Sequence, residues 1–214
     1  MINVEFHPET DILDVKSIEN ALKSVKELKI DTCNWPEAFP YIPEVSLKMI
    51  HTGDCFILKY DVREKCTAAK VATDLGRTWT DSCVECFFQP YGKGKYYNLE
   101  CTCIGKILMN HREGRPNPTR SGQEILDKIL RYPSLGSEPF EERIGDNRWS
   151  VILVVPKDAL WEDNIESFRG LDARMNAYKC GDELSTPHFL SLAPIKTEKP
   201  DFHQPDFFIP VHFE

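Results

Sequence analysis

Glu85 and Glu100 lie on two strand-like runs, Ser82 to Gln89 and Tyr96 to Ile107, joined by the turn Tyr91-Gly92-Lys93-Gly94. A hairpin sets its arms side by side, so these carboxylates are able to meet across it. Paired carboxylates have three chemical readings. They cleave glycosidic bonds when they flank the bond at a fixed separation. They hold sugar hydroxyls by accepting hydrogen bonds, without catalysis. Or they are solvated strand residues, the commonest fate of Glu.

Side-chain alternation groups further residues with them. Glu85 and Phe87 share one face of their run, opposite Val84, Cys86 and Phe88. Tyr96, Asn98, Glu100 and Thr102 oppose Tyr97, Leu99, Cys101 and Cys103. A later run, Leu171 to Tyr178, sets Asp172, Arg174, Asn176 and Tyr178 against Leu171, Ala173, Met175 and Ala177. If these runs are neighbours, they present one apolar face and one shallow polar platform. Carboxylate, amide and guanidinium groups on such a platform hold sugar hydroxyls in pairs of bonds. Trp79, next to Arg77 and Asp81 in the preceding loop, is the candidate to stack on a sugar's C–H face; the alternative is that it caps the core from its loop. Trp35, Trp149 and Trp161 read as structural.

The cysteines offer one metal reading. Cys83 and Cys86 resemble a CxxC pair, followed by Cys101 and Cys103. Zinc takes such pairs from a loop or knuckle. Within a strand, residues three apart point to opposite faces, so these thiols are expected in the core rather than on zinc. There is no phosphate-cradling glycine loop, no nucleophile elbow and no HExxH.

The elements that must position these residues are mostly strands. Val45 to Ile50 and Phe56 to Val62 alternate around Thr52-Gly53-Asp54 as a second hairpin. Arg148 to Val155, Phe189 to Leu192 and Phe207 to Phe213 complete about eight strands. Val15, Ile18, Leu22, Val25 and Leu28 form a helical stripe, and Ser121 with Glu124 reads as a capping box opening a short helix. Lys65 to Asp81 reads as a connection with a helical turn near Ala68 to Ala72. No βαβ rhythm, repeat or linker appears. The expectation is one domain over 1–214, an antiparallel β-sandwich of immunoglobulin-like or jelly-roll-like type with two or three short peripheral helices. Residues 1–30 are expected as an N-terminal helical extension packed on it.

Composition sets limits. The chain has 214 residues, 41% hydrophobic and 28% charged, with a net charge of −8. It is long enough to bury a core without disulfide staples. Its negative charge repels phosphate backbones, which argues against a nucleic-acid partner. No run approaches the ~18 apolar residues of a membrane span. Met1 to Thr10 is polar and acidic, unlike a signal peptide. Eight cysteines without such a signal suggest reduced thiols inside a cell.

The stretch Trp79-Thr-Asp81-Ser-Cys-Val-Glu85-Cys-Phe-Phe, then Tyr96-Tyr97-Asn98-Leu-Glu100, resembles the family-9 carbohydrate-binding modules. So do Arg174-Met-Asn176-Ala-Tyr178, His188 through Pro194, and Phe202-His203 through Phe208. The likeness runs from about Asp31 to the C-terminus. It implies a β-sandwich that binds mono-, oligo- or polysaccharides without cleaving them and supports polysaccharide breakdown outside or at the surface of the cell. It implies Trp79 as the stacking residue and Glu85 as a hydroxyl acceptor, with Lys106, Arg174 and Asn176 as further contacts. Such modules often carry structural calcium, but no loop here shows a run of calcium ligands, so no cofactor is predicted. The family clamps its sugar between two Trp residues. This chain has Leu192 where relatives tend to carry the second, leaving His188, Phe189 and Tyr178 as candidates for that wall.

Two alternatives stand beside sugar binding. One is a glycoside hydrolase acting through Glu85 and Glu100, with one carboxyl pKa raised by a dry cleft. The other is a protein-docking module using Trp79 to Asp81 and the arginines between Arg112 and Arg120 as a hot spot.

Overall fold

The computed structural model describes residues 1–214. Two sheets face each other. One runs β10 (Leu130–Pro133), β11 (Phe140–Pro156), β5 (Cys55–Ala69), β4 (Glu44–His51) and β1 (Ile2–Phe6). The other runs from the same β1 through β14 (Ile209–Phe213), β12 (Asp172–Cys180), β6 (Cys83–Gln89), β7 (Tyr96–Thr102), β8 (Ile107–Arg112) and β9 (Thr119–Arg120). The short β2 (Leu28–Lys29) pairs with β4, and β13 (Phe189–Ser191) bridges β12 and β3 (Thr32–Cys33). Neighbours pair antiparallel throughout, as expected, except that β1 lies parallel to both β14 and β4.

Period-two alternation builds the core between the sheets. Leu47, Leu58, Tyr60, Val151 and Leu153 from one sheet meet Val84, Cys86, Leu99, Met109, Met175 and Ala177 from the other. Each such large side chain contributes about 1.5–3 kcal/mol by leaving water. The Tyr60 hydroxyl crosses this core and donates to the Glu85 carbonyl at 3.0 Å, fixing the strand that carries a candidate site residue.

Each sheet also has a covered outer face. Against β4, β5 and β11 lies α1 (Val15–Ala21), whose Ile18 and Leu22 pack with Val25 on Ile50, Ile57, Ile152 and Val154. Asp14 caps its start by accepting from the Lys16 N–H. The helix stops well before Leu28. Lys48 Nζ donates to the Leu22 carbonyl at 3.0 Å, and Leu28 pairs with Leu47 in the sheet. Segment 1–30 therefore holds a strand, a short helix and β2.

Other departures from the sequence reading have local causes. The residues expected as a connection, Lys65 to Ala69, extend β5 as the partner of β11. The run Tyr96 to Ile107 splits into β7 and β8 at Gly105, whose φ of 79° favours glycine. The capping box does not form. Gly122 caps α2 (Gln123–Leu126) without a side-chain bond, and Ser121 is buried.

Between the sheets also lies a charged cluster. Lys179 Nζ meets Glu64 Oε2 at 2.8 Å and His188 Nε2 at 2.8 Å, with all three side chains fully buried. Trp149 Nε1 and Thr67 Oγ1 donate to Glu64 Oε1 at 2.7 and 3.0 Å. Burial, then the Lys179 charge, pushes His188 down to about 3, so its ring stays neutral and Nε2 accepts a hydrogen bond from the lysine.

Candidate functional site

The outer face of β12, β6 and β7 is the polar face read from the sequence. It is not a shallow platform. A second apolar cluster roofs much of it. Trp35, Ile195, Phe202 and Phe208 come down from flanking loops onto Cys83, Phe87, Tyr96, Tyr178 and Cys180. Phe202 stacks flat on Tyr178 at 4.2 Å and 8°. What the roof leaves open is a cleft of about 250 Å³ at the β6–β7–β8 end.

Glu85 and Glu100 form its floor, directly opposite each other in the β6–β7 register. Both are nearly fully buried. Glu100 accepts from Thr78 Oγ1 at 2.7 Å and from Asn98 Nδ2 at 2.8 Å. Glu85 Oε1 accepts from the Cys180 thiol at 3.1 Å. Burial raises Glu100 to about 7 against the pull of Thr78, Arg112 and Asn98. Burial and the Glu100 charge raise Glu85 well above the carboxylate range. The pair therefore keeps a proton at neutral pH, and offers both an O–H donor and acceptor oxygens.

Trp79 forms one wall, half-buried in a 3-10 turn, Thr78–Thr80. The turn is held from both sides. Thr78 bonds Glu100, and the Trp79 carbonyl accepts from the Asp182 N–H at 3.0 Å. Arg77, exposed and paired with Glu183 at 2.8 Å, lies 5.8 Å over the Trp79 ring but outside the cleft. Asp81 is buried and accepts from the Lys70 and Val71 N–H groups, each at 2.7 Å.

The far wall is built by residues that the sugar-binding reading of the sequence did not assign to the site. β8 supplies Leu108, Asn110 and Arg112, and the C-terminal loop supplies Asp201, Phe202 and His203. Arg112 is only 8% exposed, yet its Nε has no partner, and neither has the buried Asn110 Oδ1. A buried polar atom left unpaired costs about 1–3 kcal/mol, and both residues line the cleft. Arg115 closes one end by pairing with Asp201 at 2.8 Å. His203 Nδ1 sits 2.9 Å from the Tyr96 hydroxyl, and its ring stacks on Phe87 at 4.9 Å. Burial and the nearby arginines push His203 down to about 3, so it is a neutral ring.

Of the residues singled out in the sequence, Trp79, Glu85, Glu100 and Phe189 meet in the cleft, joined by Arg112, Arg115 and Arg120 of the docking reading. The others stand elsewhere. Asn98 lies buried behind the floor, orienting Glu100. Asn176 exchanges bonds with both backbone groups of Ala193. Tyr178 is covered by Phe202, and its hydroxyl donates to that residue's carbonyl. Arg174 clamps the carbonyls of Asp206 and Phe208. Lys106 sits in the β7–β8 turn, and His188 belongs to the buried charge cluster. Leu192 packs toward the main core, while Phe189 and Phe202 line the cleft. Cys86, Cys101 and Cys103 point into the main core and Cys83 to the opposite face, which splits the CxxC pair as expected.

The sequence profile described as carbohydrate-binding family 9 matches residues 16–213. The chain belongs to this family. It is therefore a non-catalytic carbohydrate-binding domain with the family's β-sandwich. The structure of a candidate carbohydrate-binding protein from Bacteroides uniformis ATCC 8492 superposes with a TM-score of 0.95 at 38% identity, covering 100% of this chain and 98% of that one. Two structures of a family-9 module from Caldicellulosiruptor kristjanssonii, one in complex with glucose and one with cellotriose, have TM-scores of 0.53 and 0.54. Each is 9% identical, and they cover 100% of this chain and 95% and 93% of theirs, which shows a shared fold alone. None of the curated proteins matches the chain.

Proposed function

We propose that the module holds one sugar unit, free or at the end of an oligosaccharide, in the cleft between Trp79 and the Phe202 wall. The observation that carries this is the lining of the cleft, a protonated carboxyl pair grouped with Arg112, Asn110 and the Trp79 ring. A pyranose matches that lining. Its hydroxyls each donate and accept, as the Glu85–Glu100 pair does, and its C–H face suits the Trp79 ring. A cleft of about 250 Å³ falls below the about 300–1,000 Å³ of drug-sized sites, room for one unit rather than a long chain. Phe189 and Phe202 serve where the family's second Trp is replaced by Leu192.

The carboxyl geometry favours binding over cleavage. Hydrolysis needs one carboxyl on each side of the scissile bond. Here both rise side by side from neighbouring strands of the floor.

The first test is calorimetry with glucose and cellotriose, the ligands of the Caldicellulosiruptor module, after a glycan-array screen. Trp79→Ala is expected to weaken binding by about 1–3 kcal/mol, as for other flat ligands stacked on aromatics, with unchanged circular dichroism. If Trp79→Ala unfolds the module while Trp79→Phe binds like the parent, Trp79 is a core residue and the stacking wall is lost from the proposal. If no glycan binds, the half-buried Trp79 and the exposed Arg120 become candidates for a protein contact.

A further inference from the structure

Cys83 and Cys180 face each other in register across the β6–β12 pair. Glu85 stands next along β6 on the same face as Cys83. Both sulfurs and a Glu85 oxygen lie within 4.8 Å of one another, all three residues being buried. A tetrahedral ion with metal–sulfur bonds of about 2.3 Å and metal–oxygen bonds of about 2.0–2.2 Å spaces its donors roughly 3.3–3.8 Å apart. The three donors thus lie within about 1 Å of that spacing, held by two hydrogen-bonded strands rather than by a loop. Cys180 and Glu85 also line the open cleft, which supplies both an entry path and a free fourth position.

We propose that Cys83, Cys180 and Glu85 bind a thiophilic divalent cation, Zn²⁺ or Cd²⁺, with its fourth coordination position open to the cleft. Two thiols select soft or borderline ions and disfavour calcium and magnesium. Binding replaces the proton of each thiol, and that of the Glu85 carboxyl where it is protonated, with a bond to the metal; the protons leave to solvent and nothing is oxidised or reduced. The CxxC spacing is misleading here. The partner of Cys83 is Cys180, far along the chain, and Cys86 points into the main core. The bound ion engages Glu85 and so competes with a sugar for the floor of the cleft. This competition rests on the sugar-binding proposal; the metal site does not.

The test uses the full chain, reduced and metal-free, titrated with Cd²⁺. A thiolate-to-cadmium charge-transfer band should saturate at one ion per chain and raise the thermal midpoint. Cys83→Ser and Cys180→Ser should each weaken the ion by at least about tenfold, and Cys33→Ser, two strands away on β3, should not. No band, a band that persists in the Cys83→Ser/Cys180→Ser double variant, or a band that comes with a lowered midpoint would overturn the site; the last would mean that the ion captures unfolded thiols. Glucose added to the Cd²⁺-loaded module separates the two proposals. Weakened glucose binding supports the competition. Unchanged glucose binding leaves the metal site standing and removes Glu85 from the sugar contacts.

Discussion

Glu100→Gln should make the module more stable at pH 8 and worse at holding a sugar. Burial raises this carboxyl from 4.5 to about 7. Such a group binds its proton more tightly folded than unfolded. Stability is then lost as the pH rises from the unfolded value near 4.5 toward about 7, and the loss is complete beyond it. The full shift corresponds to roughly 3 kcal/mol at pH 8 and little at pH 4. A glutamine removes that penalty and keeps both bonds, accepting from Asn98 and donating to Thr78. It gives up an acidic contact to ligand, for an expected loss of roughly tenfold in affinity. Urea unfolding of both proteins at pH 4 and pH 8 reads the first effect, and calorimetry with glucose the second. Equal stability at pH 8 would mean that Arg112 fully compensates an ionised Glu100. Two buried carboxyls facing each other weaken a fold, and their place on the floor of a cleft points to a role in what enters it, beyond the bond by which Glu100 holds Thr78.

Lys179→Met should be the most damaging single change outside the cleft. It leaves Glu64 charged and fully buried with no cation, at an expected cost of about 3–5 kcal/mol. For a chain of this size that is a fall of roughly 10 °C in the thermal midpoint. Adding Glu64→Gln to it should recover most of the loss, because the orphaned charge, rather than the absence of a favourable pair, carries the cost. A Lys179→Met protein within about 1 kcal/mol of the parent would show that the cluster is not ionised in the folded state.

The parts of the molecule visible in the sequence are those written in simple alternation. Val84, Cys86 and Phe88, or Leu171 through Ala177, gave the inward faces of their strands directly, and with them the outward Glu85 and Glu100. Alternation misled where a polar residue points inward. Lys179 follows Met175 and Ala177 on the core face, and Glu64 follows Tyr60 and Val62. Two opposite charges at inward positions of separate strands were the available sign of a buried pair. That pair also explains why β5 continues through a stretch that looked like a connection. Arg112 was read as part of a docking loop rather than of the polar face because Tyr96 to Ile107 reads as one strand. Gly105 turns the chain, and Arg112 then falls opposite Tyr96 on the face of the cleft. The roof had no period to read. Phe202, His203 and Phe208 lie in irregular chain, so Tyr178 and Asn176 looked exposed on a platform when they are in fact covered.

The parallel seat of β1 between β14 and β4 governs when the fold can close. Its Ile2 pairs with Val211 and its Glu5 with Ile50. The first contact spans nearly the whole module in sequence, and the second is far more local. During synthesis β4, β5 and β1 are available early, but the second sheet gains its neighbour for β1 only when β14 has left the ribosome. Until then the nascent domain carries an unpaired strand edge. Contacts of such long sequence separation form slowly, and an open edge is a template for pairing with other chains. The vulnerable interval for this module therefore lasts until β14 is made and docked on β1, and a delay in that step leaves the open edge free to pair with other chains.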